Sequence, residues 1–315
     1  MHPASHRLVF MGSPDFAVAS LDALVESKRF APLLVVSQPD RPRGRGREVS
    51  PTPVRQRAID LGIASITMSK PTYAEGVRVI TEAKPDIVVV VAFGLILRRD
   101  LLDLPKYGCI NVHASLLPKH RGVSPIQAAI LAGDKKTGCT TMHIDAGVDT
   151  GDMLLQEEIP IEDSDTAGTL SDRLSQLGAN LLIKTLDGLI DGNVQPREQD
   201  HEKATHTKKI KKEHGAIEWS RDAAYLSRQV RAMSPWPTAF TYYSAVRLIV
   251  VEALAIASKP GANPGTIVSV DPLVVATGDG ALELRAVQPE GRRAMTAREF
   301  VAGHRLRVGG VFTQH

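Results

Sequence analysis

The chain has 315 residues, 38 Lys and Arg against 35 Asp and Glu, a formal net charge of +3 and 43% hydrophobic residues. That length is about twice the usual single domain, and the composition is that of an ordinary folded protein, which excludes global disorder, collagen, coiled coil and a disulfide-stapled miniprotein. Two cysteines, Cys109 and Cys139, without a CxxC spacing make no disulfide framework and supply too few thiolates for a structural zinc site, so both read as small buried hydrophobes and no metal is expected.

The first residues carry no secretory or Arg-rich leader pattern, and the longest apolar run, Asp86–Phe93, is far short of the ~20 residues that cross a bilayer. A cytoplasmic location without membrane contact is expected. Leu8–Met11 reads as a strand, Gly12-Ser13-Pro14 as a turn, and Phe16, Val18, Leu21, Leu24 and Val25 as a helix that Pro14 helps to start. Strands follow at 32–37, 87–92 and 109–113, separated by helical patterns around 53–61, 73–83 and 124–132. Strands that are apolar throughout and alternate with helices predict an α/β unit whose parallel sheet is covered on both faces.

Further strands at 139–144 and 153–161 precede the clearest helix, which Asp165 or Thr166 can cap and in which Leu170, Leu174, Leu177, Leu181, Leu186 and Leu189 recur at helical spacing. Residues 192–215 are polar and basic and read as a linker between a first domain of 1–191 and a second of 216–315. In the second, a helix over 222–233 and short strands at 239–243, 246–257, 265–270, 272–277 and 281–287 predict a small antiparallel β-barrel.

Charge is unevenly spread: residues 201–315 hold 16 Lys and Arg against 10 Asp and Glu, so the excess of cations lies in the C-terminal third. Arg41, Arg43, Arg45 and Arg47 fall within seven residues, and Lys203, Lys208, Lys209, Lys211 and Lys212 within ten. A charge run is often only a solvated face, but two such clusters also suit a polyanionic partner whose phosphates they neutralise.

Three places could hold chemistry. The first βα turn has one glycine rather than the three of GxGxxG, and Pro14 removes a backbone donor, so a dinucleotide cofactor is not expected. Asn111 and His113, two apart on a strand, share one face at the carboxyl end of an expected parallel strand, where open α/β sheets bind ligands. A histidine there can also be a satisfied core residue; an amide and an imidazole together, ahead of a loop ending in Pro118, argue for a site. The loop Asp145–Asp152 offers Asp149, a carboxylate that can fix a histidine's tautomer, although it also reads as a polar turn.

Asn111-x-His113, Ser115-Leu116-Leu117-Pro118, Arg121-Gly122 and Asp149-Thr150-Gly151 together resemble the formyltransferases that use 10-formyltetrahydrofolate. The resemblance runs from about Leu8 to the C-terminus and implies a Rossmann-like catalytic domain followed by a barrel of OB type. It implies that Asn111, His113 and Asp149 are catalytic, that Ser115, Leu116, Leu117 and Pro118 line the tetrahydrofolate pocket, and that the folate is a co-substrate with no metal. Within that family, Gln38–Arg47 is similar to the loop of the branch that formylates initiator methionyl-tRNA. On that likeness Arg41, Arg43, Arg45 and Arg47 meet the acceptor end, with Arg45 at the weakened first base pair, while Lys208, Lys209, Lys211 and Lys212 hold the stem backbone. A formyltransferase for an amino sugar nucleotide and a hydrolase of the same folate share Asn111, His113 and Asp149. The former gives no reason for the four arginines or the basic barrel, and formate release without any acceptor would favour the latter. An RNA-binding protein without catalysis explains the charge and not the Asn/His/Asp set. A monomer is expected.

Overall fold

The structure is a computed structural model and describes residues 6–43, 48–244, 246–257 and 261–314. It divides into two compact units, one of residues 1–125, 136–160 and 171–207 and the other of 126–135, 161–170 and 208–315. No helix among the described residues is long and apolar enough to cross a membrane.

The chain runs β1 (Leu8–Gly12), α1 (Val18–Glu26), β2 (Pro32–Ser37), a hairpin of β3 (Arg41–Arg43) and β4 (Glu48–Ser50), α2 (Pro53–Asp60), β5 (Ser65–Thr67), α3 (Tyr73–Glu82) and β6 (Ile87–Val91). It continues with α4 (Arg99–Leu102), β7 (Cys109–His113), β8 (Arg121–Gly122), α5 (Pro125–Ala132), β9 (Lys136–His143), β10 (Met153–Pro160), α6 (Ala167–Ile190) and β11 (His206–Thr207). Seven strands make one sheet in the order β10, β9, β7, β6, β1, β2, β5. The five on the β5 side are parallel, β9 runs antiparallel to β7, and β10 antiparallel to β9. The chain leaves β1 on one side for β2 and β5 and returns on the other for β6 and β7. The strand order therefore reverses beside β1, and the crevice at the carboxyl ends of β1 and β6 is where such sheets take ligands.

Both faces of the central strands β1, β2 and β6 are buried, which is why they are apolar without alternation, whereas the edge strand β10 carries the polar Gln156, Glu157 and Glu158. Leu8, Phe10, Val35, Val89, Ile110 and Val112 pack with α1, α2 and α6 on one face, while Val9, Met11, Val36, Val88, Val90 and Cys109 pack with residues of α3 and α4 on the other. Gly178 lets α6 press onto β7, since a Cβ there would stand 2.8 Å from Val112 Cγ1. Burial pushes the thiols of Cys109 and Cys139 up to about 12, so both are unreactive core residues.

The stretch that reads as the start of a linker is built into this first unit. Arg197 and Met153 exchange both backbone hydrogen bonds, 2.8 Å each, and β11 lies parallel to β8 with His206 beside Arg121 and Thr207 beside Gly122. Polar composition marks this segment as surface; its order comes from the backbone bonds, which composition does not reveal.

The second unit holds α7 (Ala223–Ala232), β12 (Ala239–Tyr243), β13 (Val246–Ile256), β14 (Ile267–Val270), β15 (Leu273–Ala276), β16 (Ala281–Pro289), β17 (Met295–Thr296) and α8 (Ala297–His304). Its antiparallel sheet has the order β12, β13, β16, β15, β14, and β17 pairs with β16. The C-terminal segment joins the two edges: Tyr242 exchanges bonds with Thr313, and Ile267 with Gly309 and Gly310. That is the closure a small barrel uses to remove its edges. The core holds Leu248, Val250, Val275, Leu282, Leu284 and Phe312.

Candidate active site

β7 sets the site. Cys109, Asn111 and His113 lie on one face of the strand, and beyond Cys109 that face emerges at the carboxyl edge of the sheet. Asn111 stands beside Val90 of β6 and Met142 of β9; it is half-buried, and its side-chain amide bonds none of the described residues. His113 is 6% exposed. Its Nε2 lies 3.0 Å from the backbone oxygen of His120, which can only accept, so Nε2 carries a hydrogen. Nδ1 faces Asp149 Oδ2 at 3.5 Å, an ion-pair distance that catalytic groups shorten once substrate is bound.

Asp149 is brought there by two loops. The 145–151 turn is closed by Asp145, whose carboxylate accepts from the backbone N of Gly147 at 3.0 Å and from Thr150 Oγ1 at 2.7 Å. Asp149 itself has φ +53°, and the backbone N of Gly122 donates to its Oδ2 at 2.7 Å. Gly122 has φ +107°, and a Cβ there would lie 2.8 Å from Thr207 O, so only glycine can sit in the β8 to β11 pair at this point. Asn111, His113 and Asp149 are thereby gathered within the first unit.

The 115–118 loop is locked from beneath. Thr140 Oγ1 donates to Ser115 O at 2.7 Å and accepts from Leu117 N at 3.1 Å, and Gln156 Nε2 donates to Leu117 O at 2.9 Å. Ser115 Oγ donates to Lys119 O at 2.6 Å. Ser115 and Leu117 are buried, while Leu116 and Pro118 stay half-exposed. The carbonyls of Ser115 and Leu117 and the N–H of Leu117 are thus committed within the protein, while Leu116, whose Cδ2 lies beside Gly138 of β9, and Pro118 keep part of their surface exposed. Sequence reading missed Thr140 and Gln156, since a β9 threonine and a β10 glutamine carry no motif.

Arg121, part of the motif that carries the resemblance, is an anchor. It is 3% exposed, and its Nε and Nη2 donate to Gln199 Oε1 at 3.0 and 2.7 Å. Gln199, also missed, lies in the polar stretch after α6, where nothing in the sequence separates it from its neighbours.

A cavity of about 280 Å3 opens at the switch in strand order, lined by Ser13, Pro14, Gln38, Pro39, Ala92 and Phe93 among others. Its polar lining is largely spent internally: Ser13 Oγ accepts from Gln38 N at 3.1 Å, Gln38 Nε2 donates to Phe93 O at 2.9 Å, and Thr52 Oγ1 caps α2 by accepting from Arg55 N at 3.2 Å. Arg41, on β3, is exposed and reaches Gln38 Oε1 at 3.3 Å. Arg43 ends the same strand; Arg45 and Arg47 lie outside the described residues. Lys208, Lys209, Lys211 and Lys212 are all exposed in the second unit, with Lys211 Nζ 3.2 Å from Glu213.

The formyl transferase family model matches residues 6–186, and that of the formyl transferase C-terminal domain matches 209–305. The methionyl-tRNA formyltransferase of Acetivibrio thermocellus is 45% identical over 98% of this chain and 100% of its own, and that of Bacillus subtilis 44% over 97% of each. Among solved structures, an N-formyltransferase from Helicobacter canadensis in complex with folinic acid and dTDP-3-aminofucose superposes with a TM-score of 0.66 at 20% identity, over 90% of this chain and 99% of that one. HypX from Aquifex aeolicus, in complex with tetrahydrofolic acid, gives 0.62 at 13% identity over 97% of this chain and 48% of its own. These two likenesses bear on the fold. Matched in both halves and aligned with such relatives over nearly its whole length, the chain belongs to the formyl transferase family, alongside the methionyl-tRNA formyltransferases.

Proposed function

We propose that the chain transfers the formyl group of 10-formyltetrahydrofolate to the α-amine of methionine esterified to initiator tRNA. The observation that carries this reading is the gathering of Asn111, His113 and Asp149 at the carboxyl edge of the sheet, in a chain whose relatives at about 45% identity are methionyl-tRNA formyltransferases. Residues 1–191 carry the chemistry and 216–315 hold the nucleic acid.

The folate brings the formyl carbon; the protein's own residues supply the rest. In the exchange the amine nitrogen bonds to that carbon, the bond from the carbon to the folate nitrogen breaks, and one proton leaves the amine while one reaches the departing nitrogen. Asn111 donates its amide hydrogen to the formyl oxygen, on which negative charge develops, a pre-placed donor worth about 3 kcal/mol. His113 moves a proton at Nδ1, and Asp149 holds the ring for it. Leu116 and Pro118 wall the folate side, with Ser115 and Leu117 fixing their loop. The uncommitted Asn111 amide and the half-exposed Leu116 and Pro118 are the groups that fit a folate presenting its formyl oxygen.

On the acceptor side the mostly spent polar lining of the cavity beside β1 suits the methionyl side chain. Arg41, Arg43, Arg45 and Arg47 meet the acceptor end, Arg45 at the weakened first base pair, and Lys208, Lys209, Lys211 and Lys212 hold the backbone electrostatically.

The test is incubation with 10-formyltetrahydrofolate and methionine-charged initiator tRNA, with uncharged tRNA as control, followed by mass measurement of the released amino acid. N-formylmethionine from the charged tRNA alone is expected. Formate release without any acceptor would favour a hydrolase instead.

A further inference from the structure

We propose that Gln199 is a positioning residue for this reaction, holding Asp149 in the backbone conformation that aims its carboxylate at His113. The proposal rests on the catalytic assignment of Asp149 made above.

Asp149 occupies the left-handed region, at φ +53°, which costs a residue with a Cβ more than the right-handed one and which Asp tolerates better than most, so a bond to its carbonyl helps to hold it there. Gln199 Nε2 donates to Asp149 O at 2.9 Å and to Gly151 O at 2.7 Å, so one amide clamps the turn on both sides of Thr150. Its Oε1 accepts the fork of Arg121 through Nε and Nη2. Each partner bars the flipped amide: the guanidinium can only donate and the two carbonyls can only accept. Gln199 and Arg121 are both 3% exposed, so water does not replace these bonds.

The carboxylate end is held separately, by Gly122 N on Oδ2 at 2.7 Å, next to Arg121 in the chain. Arg121 thus links the two holds on Asp149: its guanidinium orients the amide that grips the backbone, and the following residue grips the carboxylate. His113 is the group that faces the product of this arrangement, at 3.5 Å.

Gln199→Met keeps the length of the side chain and removes its donors and its acceptor. We expect kcat to fall on the order of 10–100-fold, with KM for both substrates changed by less than about twofold. In an Asp149→Ala background the same change is expected to cost less than about twofold more, because the residue it acts through is gone. Gln199→Glu keeps an acceptor for Arg121 and sets an oxygen against two carbonyls; it is expected to lose kcat in the same range while remaining folded, and it carries the test alone where Gln199→Met does not fold. Wild-type kcat in Gln199→Glu, or full additivity in the double variant, would overturn the proposal. Wild-type activity in Asp149→Ala by itself would overturn the reading of the site, so the two failures are told apart.

Discussion

At the level of single residues the site is asymmetric in how its members are held. His113 is engaged at both ring nitrogens and Asp149 at both its backbone and its carboxylate, while the Asn111 amide bonds none of the described residues and remains available to a substrate oxygen. A donor that matters only once charge develops contributes to kcat and little to ground-state binding. Asn111→Ala is therefore expected to lower kcat by about 100-fold or more with KM for the folate little changed, as steady-state kinetics will show; a raised KM at wild-type kcat would assign Asn111 to binding instead. The spacing of Asn111 and His113 made their common face legible in sequence, since a pleated strand alternates sides. Asp149 was legible as a carboxylate able to fix a histidine's tautomer, but its pairing with His113 was implied only by the resemblance, because no local rule brings a residue of the 145–151 loop to β7. Gln199 was not legible at all: its role depends on a tertiary fold that returns it to that loop.

Among elements, the two-residue pair of β8 and β11 has consequences out of proportion to its size. It fixes Gly122, and Gly122 N fixes the carboxylate of Asp149. Gly122→Val adds a Cβ 2.8 Å from Thr207 O at φ +107°, and is expected to cost about 1–3 kcal/mol of stability together with most of the activity; denaturant unfolding and kinetics on the same sample check both. A second expectation concerns His143 of β9. Burial lowers its pKa below the ordinary 6.5, against a smaller opposing effect of Asp152. The unfolded chain then binds the proton more readily, so the stability contribution is complete above 6.5 and is lost as pH falls toward the lowered folded value. His143→Gln should flatten the acid side of a stability profile measured by urea unfolding. The apolar strands were legible within a residue or two, because a sheet buried on both faces leaves no polar alternation to confuse them. α8 was missed, although Thr296 and Glu299 spell its capping box and the structure forms it, with Thr296 N donating to Glu299 at 2.8 Å.

For the whole molecule, the uneven charge read from composition makes a prediction that contacts cannot. If the exposed lysines at 208, 209, 211 and 212 hold a nucleic-acid backbone, tRNA affinity falls steeply with salt, and replacing all four with alanine should weaken binding and reduce the slope of log K against log salt by up to about 3. Filter binding over a salt series measures it, and an unchanged slope would remove these lysines from the interface. The basic turn in composition suggests a linker at 192–215, whereas the ordering of residues 192–207 on the first unit leaves no compositional trace, since backbone hydrogen bonds make it. The claim on which the rest depends is that His113, set by Asp149, moves a proton in formyl transfer. Its most direct test is a single turnover with enzyme in excess over 10-formyltetrahydrofolate and methionyl-tRNA, comparing wild type with His113→Ala. Transfer about 100-fold slower or more is expected, with both substrates bound as tightly as by the wild type; transfer at the wild-type rate would contradict the assignment.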